Sequence, residues 1–210
     1  MAVDHKAQWE EWNRGGGPRY PHEKVVQFNF RNFPPDQRQQ IRVLDCGCGS
    51  GVHVKFFAAD GFEVAGLDIS EIGISNAKRL LDAQQLSADL RVESIEKISW
   101  PDGCFDFICS IGVIDSAGLV AARLALPEIM RCLKPAGKAL LIFASNLDFR
   151  VHTDNPFRLH GYTQEEVEAL LPYEGLSVRS VDRYLTTYEN GRLQQNEFLV
   201  TLQKAANQNV

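Results

Sequence analysis

The chain has 210 residues, 44% of them hydrophobic and 23% charged, with a formal net charge of −5. That length and balance fit a single globular domain with one core, and the acidic sign, with no Lys/Arg cluster among aromatics, supplies no footprint for nucleic acid. Met1 to Trp12 holds Asp4, His5, Lys6, Glu10 and Glu11 without an apolar run, and no stretch approaches a membrane span, so a cytoplasmic protein without a membrane partner is expected.

Residues 1–40 read as an N-terminal cap. Trp9, Trp12, Arg14 and Gly15-Gly16-Gly17 form an aromatic, flexible stretch, either a loose tail or a flap that closes over a ligand. Pro21 suits the first turn of a helix to about Asn32, with Val25, Val26, Phe28 and Phe33 as its apolar residues, and Pro34-Pro35-Asp36 ends it.

Ile41–Leu44 is a short apolar strand that runs into Asp45-Cys46-Gly47-Cys48-Gly49-Ser50-Gly51. Val52–Ala59 follows with helical spacing. Strand, glycine turn and helix bring backbone against a nucleotide-like ligand. A dinucleotide fingerprint would need its third glycine where Val52 stands. Asp45 would also repel a pyrophosphate, so a ligand with positive charge fits better. Glu63–Ile69 reads as a second strand ending in Asp68, an acid placed to accept hydrogen bonds from both hydroxyls of a ribose. Ser70 caps the next helix, whose apolar side carries Ile72, Ala77, Leu80 and Leu81.

Farther along come Val92-Glu93-Ser94-Ile95-Glu96, the turn Pro101–Cys104 into a strand over Phe105–Ser110, and a helix holding Pro127, a first turn or a kink. Leu133-Lys134-Pro135-Ala136-Gly137-Lys138 leads into a strand over Ala139–Phe143. Ser145–His160 is a long polar and aromatic loop on the ligand-binding edge. Thr163-Gln164-Glu165-Glu166 is a capping box that opens a helix with Val167, Leu170 and Leu171 on one face. Leu176–Val181, Arg183–Tyr188 and Gln194–Leu202 alternate as strands, and Asn190-Gly191 turns the last two into an antiparallel pair.

Residues 41–145 resemble the class I S-adenosylmethionine-dependent methyltransferases: the glycine loop resembles their motif I, and the Asp68, Pro101–Ser110 and Leu133–Phe143 landmarks follow in order. The resemblance implies a Rossmann-like α/β fold, with a doubly wound, mostly parallel seven-stranded sheet ending in an antiparallel edge hairpin. It implies a single domain over 1–210, with a cap at 1–40, a cofactor core at 41–145 and a substrate side at 146–210. The cofactor would be S-adenosylmethionine, the partner a small-molecule substrate, and the assembly a monomer or homodimer. Asp45, Gly47, Gly49 and Gly51 would hold the methionine end, Asp68 the ribose, and Ile69, Ser94 and Ile95 the adenine. Cys48 and Ser110 complete the cofactor set. Many relatives carry an aspartate where Ser94 stands, which leaves the adenine contact to a hydroxyl or to Glu96.

The acceptor side carries no motif. Asp115, His152 and His160 are the candidate catalytic groups, against readings of Asp115 as a helix N-cap and of the histidines as solvated loop residues. Tyr20, Tyr162 and Arg150 are candidates for shaping the pocket. Absence of an Asn/Asp-Pro-Pro-Tyr motif favours oxygen as the methylated atom. Two alternatives stand beside this reading: a non-catalytic S-adenosylmethionine-binding protein, and an NAD-dependent oxidoreductase, disfavoured by Val52 and Asp45. Cys46, Cys48, Cys104 and Cys109 read as small buried side chains rather than zinc ligands, so no metal is expected.

Overall fold

The structure is a computed structural model that describes residues 5–154, 157–172 and 174–206. Seven strands form one sheet in the order β3-β2-β1-β4-β5-β7-β6. β1 (Arg42–Cys46), β2 (Glu63–Asp68), β3 (Asp89–Val92), β4 (Phe105–Ile111) and β5 (Leu133–Ala144) run parallel, and β6 (Leu176–Tyr188) with β7 (Leu193–Lys204) makes the antiparallel edge pair. Among the described residues no helix is long and apolar enough to cross a membrane.

The inner strands are near-continuous apolar runs because both faces are covered. Alternation assigns each residue a side. Val43, Val64, Phe107 and Leu140 pack toward α2 (Glu23–Asn32) and α3 (Val52–Ala59) through Val25, Val54 and Phe57. Leu44, Ala65, Ile108 and Leu141 face the other way, against Ala122, Leu126 and Ile129 of α5 (Ile114–Cys132) and Val167 of α6 (Gln164–Leu170). α4 (Glu71–Asp82) buries Ala77 and Leu81, as its spacing predicts.

Several local expectations are refined. The stretch around Trp9 and Trp12 is α1 (His5–Arg14), a helix that the polar sequence does not announce. Its Glu10 accepts hydrogen bonds from Ser70 Oγ at 2.7 Å, Glu71 N at 2.9 Å and Ile72 N at 3.0 Å, so it caps the start of α4 from outside. α2 begins two residues after Pro21, because His22 is the N-cap and its ring accepts from Lys24 N. In α5 the backbone leaves helical dihedrals at Gly118 (φ 82°, ψ 174°), while Pro127 sits inside the helix. Leu176–Val181 and Arg183–Tyr188 form one strand, and four residues separate its paired end from β7, since Tyr188 pairs with Leu193.

Candidate functional site

The ends of β1, β2 and β4 open into a cavity of about 900 Å³ at the point where the chain winds outward in both directions. The loop Gly47–Ser50 lines it beside Asp68 and Ile69. Glu93–Glu96 follow from the end of β3 and Ile111–Val113 from β4. α1 closes over it with His5, Trp9, Trp12 and Asn13.

Glycine is required at two points of the loop for different reasons. At Gly47 (φ 85°) a Cβ would fall 2.3 Å from Val113 Cγ2, so only glycine lets the loop pass under the start of α5. At Gly51 (φ 84°) a Cβ would fall 2.6 Å from Ala77 Cβ, so this glycine seats α3 against α4 and is not on the cavity wall. The amides of Gly47 and Cys48 both donate to Leu67 O at 2.8 Å, which fixes the loop to β2.

Asp68 is 8% exposed and lies on the wall. Its Oδ2 accepts from Gly49 N at 2.7 Å and its Oδ1 from Ser70 N at 2.8 Å. Burial pushes its carboxyl above the ordinary aspartate value, and the two amides offset only part of that rise. Ile69, Ser94 and Ile95 are on the wall as expected, with Glu93 and Glu96 beside them.

Asp45 and Ser110 are buried and do not line the cavity. Both are 1% exposed. Asp45 Oδ1 accepts from Cys109 Sγ at 3.6 Å, and its Oδ2 has no hydrogen-bond partner but lies 3.8 Å from His53 Nδ1. Burial pushes the Asp45 carboxyl up to about 7. His53 lines the cavity and was missed in the sequence, although it sits in the first turn of the helix that the glycine loop opens. Its Nε2 accepts from His22 N at 3.0 Å, which assigns the ring proton to Nδ1, on the Asp45 side. Burial, reinforced by His22, pushes the ring down to about 4 and keeps it neutral.

The wall also includes Asp115, Ser116, Arg150, Phe157 and Leu159. Asp115 is 1% exposed, and Val113 rather than Asp115 occupies the N-cap of α5. Its Oδ1 accepts from Ser116 N and its Oδ2 from Ala144 N, each at 3.0 Å, which ties α5 to the end of β5. Burial pushes this carboxyl up to about 6. His152 is exposed, with Nε2 2.8 Å from Asn146 O, and is off the wall. His160 is off it too, turned edge-on to Tyr162 with its Nε2 3.3 Å from Glu166 Oε2. Tyr162 is wholly buried and donates to Ile114 O, while Tyr20 is 82% exposed. Of the three candidate catalytic groups, only Asp115 reaches the cavity.

The methyltransferase domain family model matches residues 44–141. The matched span, somewhat under half of the chain, is similar to a methyltransferase domain. The ubiquinone biosynthesis O-methyltransferase of Rhodopseudomonas palustris strain BisB5 is 35% identical over 104 residues, 48% of this chain and 39% of that protein. Its counterpart from Methylocella silvestris is 31% identical over 131 residues, 60% of this chain and 48% of that protein. The chain thus spans less than half the length of the curated relatives it matches. Two solved structures share the fold. One comes from work on conversion of a disulfide bond into a thioacetal group during echinomycin biosynthesis (TM-score 0.74, 20% identity, 97% of this chain and 94% of that one). The other is a Haemonchus contortus phosphoethanolamine N-methyltransferase bound to S-adenosylhomocysteine (TM-score 0.72, 16% identity, 94% and 56%).

The cofactor of the methyltransferase domain is S-adenosylmethionine, and the wall suits it. Asp68, Glu93, Glu96 and Asp115 are carboxylates, and among the described residues Arg150 is the one lysine or arginine on the wall, where Asp148 and Glu197 hold it. A ligand carrying an ammonium and a sulfonium but no phosphate meets favourable charge there. A pyrophosphate at Gly47–Ser50 would face Asp68 with no cation beside it.

Proposed function

We propose that the chain methylates an oxygen of a small-molecule acceptor in the cytoplasm. The observation that carries this reading is the cavity at the sheet edge. It is lined by Asp68 and Glu93–Glu96, where a nucleoside fits, and by Asp115, Arg150 and Phe157, with α1 forming part of its wall. A space of about 900 Å³ takes a cofactor and a small acceptor together. The O-methyltransferase relatives supply the preference for oxygen. The five free cysteines support a reducing compartment.

In this reading Asp68 takes the ribose hydroxyls with the lone pairs that Gly49 and Ser70 leave open, and Ile69, Ser94 and Ile95 enclose the adenine. The backbone of Gly47–Gly49 holds the methionine end. Asp45 acts from behind, through His53. The bound cofactor supplies a methyl group on a sulfonium, already activated toward displacement. The protein's own task is therefore to orient the acceptor and exclude water. Trp9, Trp12 and Phe157 pack ring on ring along one wall and keep it dry, with centroids 4.3 Å apart for Trp9–Phe157 and 5.5 Å for Trp12–Phe157. Asp115 is the wall group able to take a proton from an acceptor hydroxyl, since a carboxyl near 6 is a usable base at neutral pH.

The test is calorimetric titration of S-adenosylmethionine and S-adenosylhomocysteine into wild type and Asp68→Asn, followed by mass spectrometry on a panel of hydroxyl, amine and thiol acceptors. Asp68→Asn should weaken both nucleosides by about 1–3 kcal/mol. A methyl found only on nitrogen or sulfur would overturn the oxygen assignment.

A further inference from the structure

Arg150 is gripped from behind. Its Nε and Nη2 donate to Asp148 Oδ1 and Oδ2, both at 2.9 Å, and Nη2 also reaches Glu197 Oε1 at 2.8 Å. Asp148 is wholly buried and also accepts the amides of Arg150 at 2.9 Å and Asn196 at 2.8 Å, so it cannot swing away. Glu197 is 3% exposed, and its Oε2 has no hydrogen-bond partner. A guanidinium has five N–H groups in a rigid fork. Three of Arg150's point backward. The pair on Nη1 makes no hydrogen bond among the described residues, and Arg150 lines the cavity.

Charge decides what such an edge accepts. One guanidinium stands against two buried carboxylates, so the cluster carries a net negative charge before any ligand arrives. Asp115, another carboxylate, lines the same cavity, and His22, whose Nε2 lies 3.9 Å from Glu197 Oε2, is held by burial below the usual histidine value and so adds no cation at neutral pH. A carboxylate or phosphate brought to Nη1 would lose its hydration and meet a cation already neutralised. A hydroxyl or carbonyl oxygen accepts the same N–H without adding charge. Beside it, Phe157, Leu159 and the indoles of Trp9 and Trp12 offer an apolar surface suited to a flat ring.

We propose that Arg150 selects the acceptor: its Nη1 edge binds an uncharged oxygen on a flat, apolar molecule and disfavours acceptors that carry an anion at that point. The proposal rests on the methyltransferase reading above and names its substrate class.

The test uses 4-methylcatechol and 3,4-dihydroxybenzoate, a pair of similar shape in which a methyl replaces a carboxylate. Each is titrated into wild type saturated with S-adenosylhomocysteine, and into Arg150→Lys. Lysine keeps the charge facing Asp148 and Glu197, so the variant folds, but it lacks the second edge. We expect 4-methylcatechol to bind wild type at least tenfold more tightly than the benzoate. Arg150→Lys should lose roughly tenfold for 4-methylcatechol, with its affinity for S-adenosylhomocysteine unchanged. Preference for the benzoate, failure of both probes to bind the loaded protein, or an Arg150→Lys variant with unchanged affinity would each overturn the proposal. Failure to bind S-adenosylhomocysteine at all would instead strike the underlying methyltransferase reading.

Discussion

Asp115 and Asp45 are both buried beside the cavity, and their surroundings give them different work. Asp115 is on the wall with its carboxyl near 6, so as a base it must lose its proton before it can act. With a methylated acceptor in hand, kcat/KM should rise with pH through about 6, and Asp115→Asn should lower it by roughly 10²–10⁴-fold and abolish that acid limb. A merely structural role would lower the rate and leave the limb in place. Asp45 lies behind the wall with its carboxyl near 7 in the fold against 3.8 ordinarily. A carboxyl raised by folding favours the folded state most at low pH, where it is protonated in both states. That contribution is lost as pH climbs from about 4 to about 7. Asp45→Asn removes the loss, so its stability relative to wild type should improve by about 1–3 kcal/mol between pH 4 and pH 8, read from denaturant unfolding at each pH. Equal pH slopes in the two proteins would contradict this account. Asp45 and Asp115 were both visible in the sequence, but spacing alone does not report which strand-end acid reaches a cavity and which is covered by a neighbour such as His53.

At the scale of elements, α1 adds a wall to a site at the open edge of the sheet. It docks by its polar face: Glu10 on the start of α4, Lys6 2.8 Å from Glu71, and Asn13 Oδ1 accepting from Ser50 Oγ at 2.9 Å. Burial raises the Glu10 carboxyl, but the hydrogen bonds from Ser70, Ile72 and Glu71 outweigh it and hold it below 4.5. Its contribution is therefore present above the ordinary glutamate range and fades only as pH falls below it. Because α1 forms part of the wall, we expect it to retain a bound cofactor. Glu10→Ala should speed release of S-adenosylhomocysteine roughly fivefold, the rate equivalent of losing about 1 kcal/mol of helix capping. Stopped-flow tryptophan fluorescence would follow it, since Trp9 and Trp12 are on the wall. An unchanged rate would mean that the cofactor leaves by another route. No periodicity marked α1 as a helix, because its stabilising partners lie 37 to 65 residues ahead. The inner strands and α4, whose partners are apolar and whose patterns are local, were legible almost to their ends.

At the scale of the molecule, the sheet order follows from its sequence landmarks, while the acceptor end does not. Gly47, Asp68 and Ile95, which all line the cavity, stand out in the sequence because a family pattern of residue type and spacing marks them. Asp148, Glu197 and Arg150 come from a loop and the start of β7, and only the fold brings them together. Trp9 and Phe157 meet from opposite ends of the chain for the same reason. The cavity thus draws on α1, three strand ends and the 146–160 loop, so a ligand that fills it should stabilise the whole fold rather than one element. S-adenosylhomocysteine at about one hundred times its dissociation constant should add about 2.7 kcal/mol to unfolding, a rise in Tm of roughly 5–10 °C for a chain of this size. NAD at the same concentration should leave Tm unchanged, because its pyrophosphate would face Asp68. Glu10→Ala should keep part of the nucleoside's effect, since α1 is only one side of the cavity. A shift with NAD and none with S-adenosylhomocysteine would reverse the assignment of the wall's charge, on which the roles of Asp68 and Arg150 both depend.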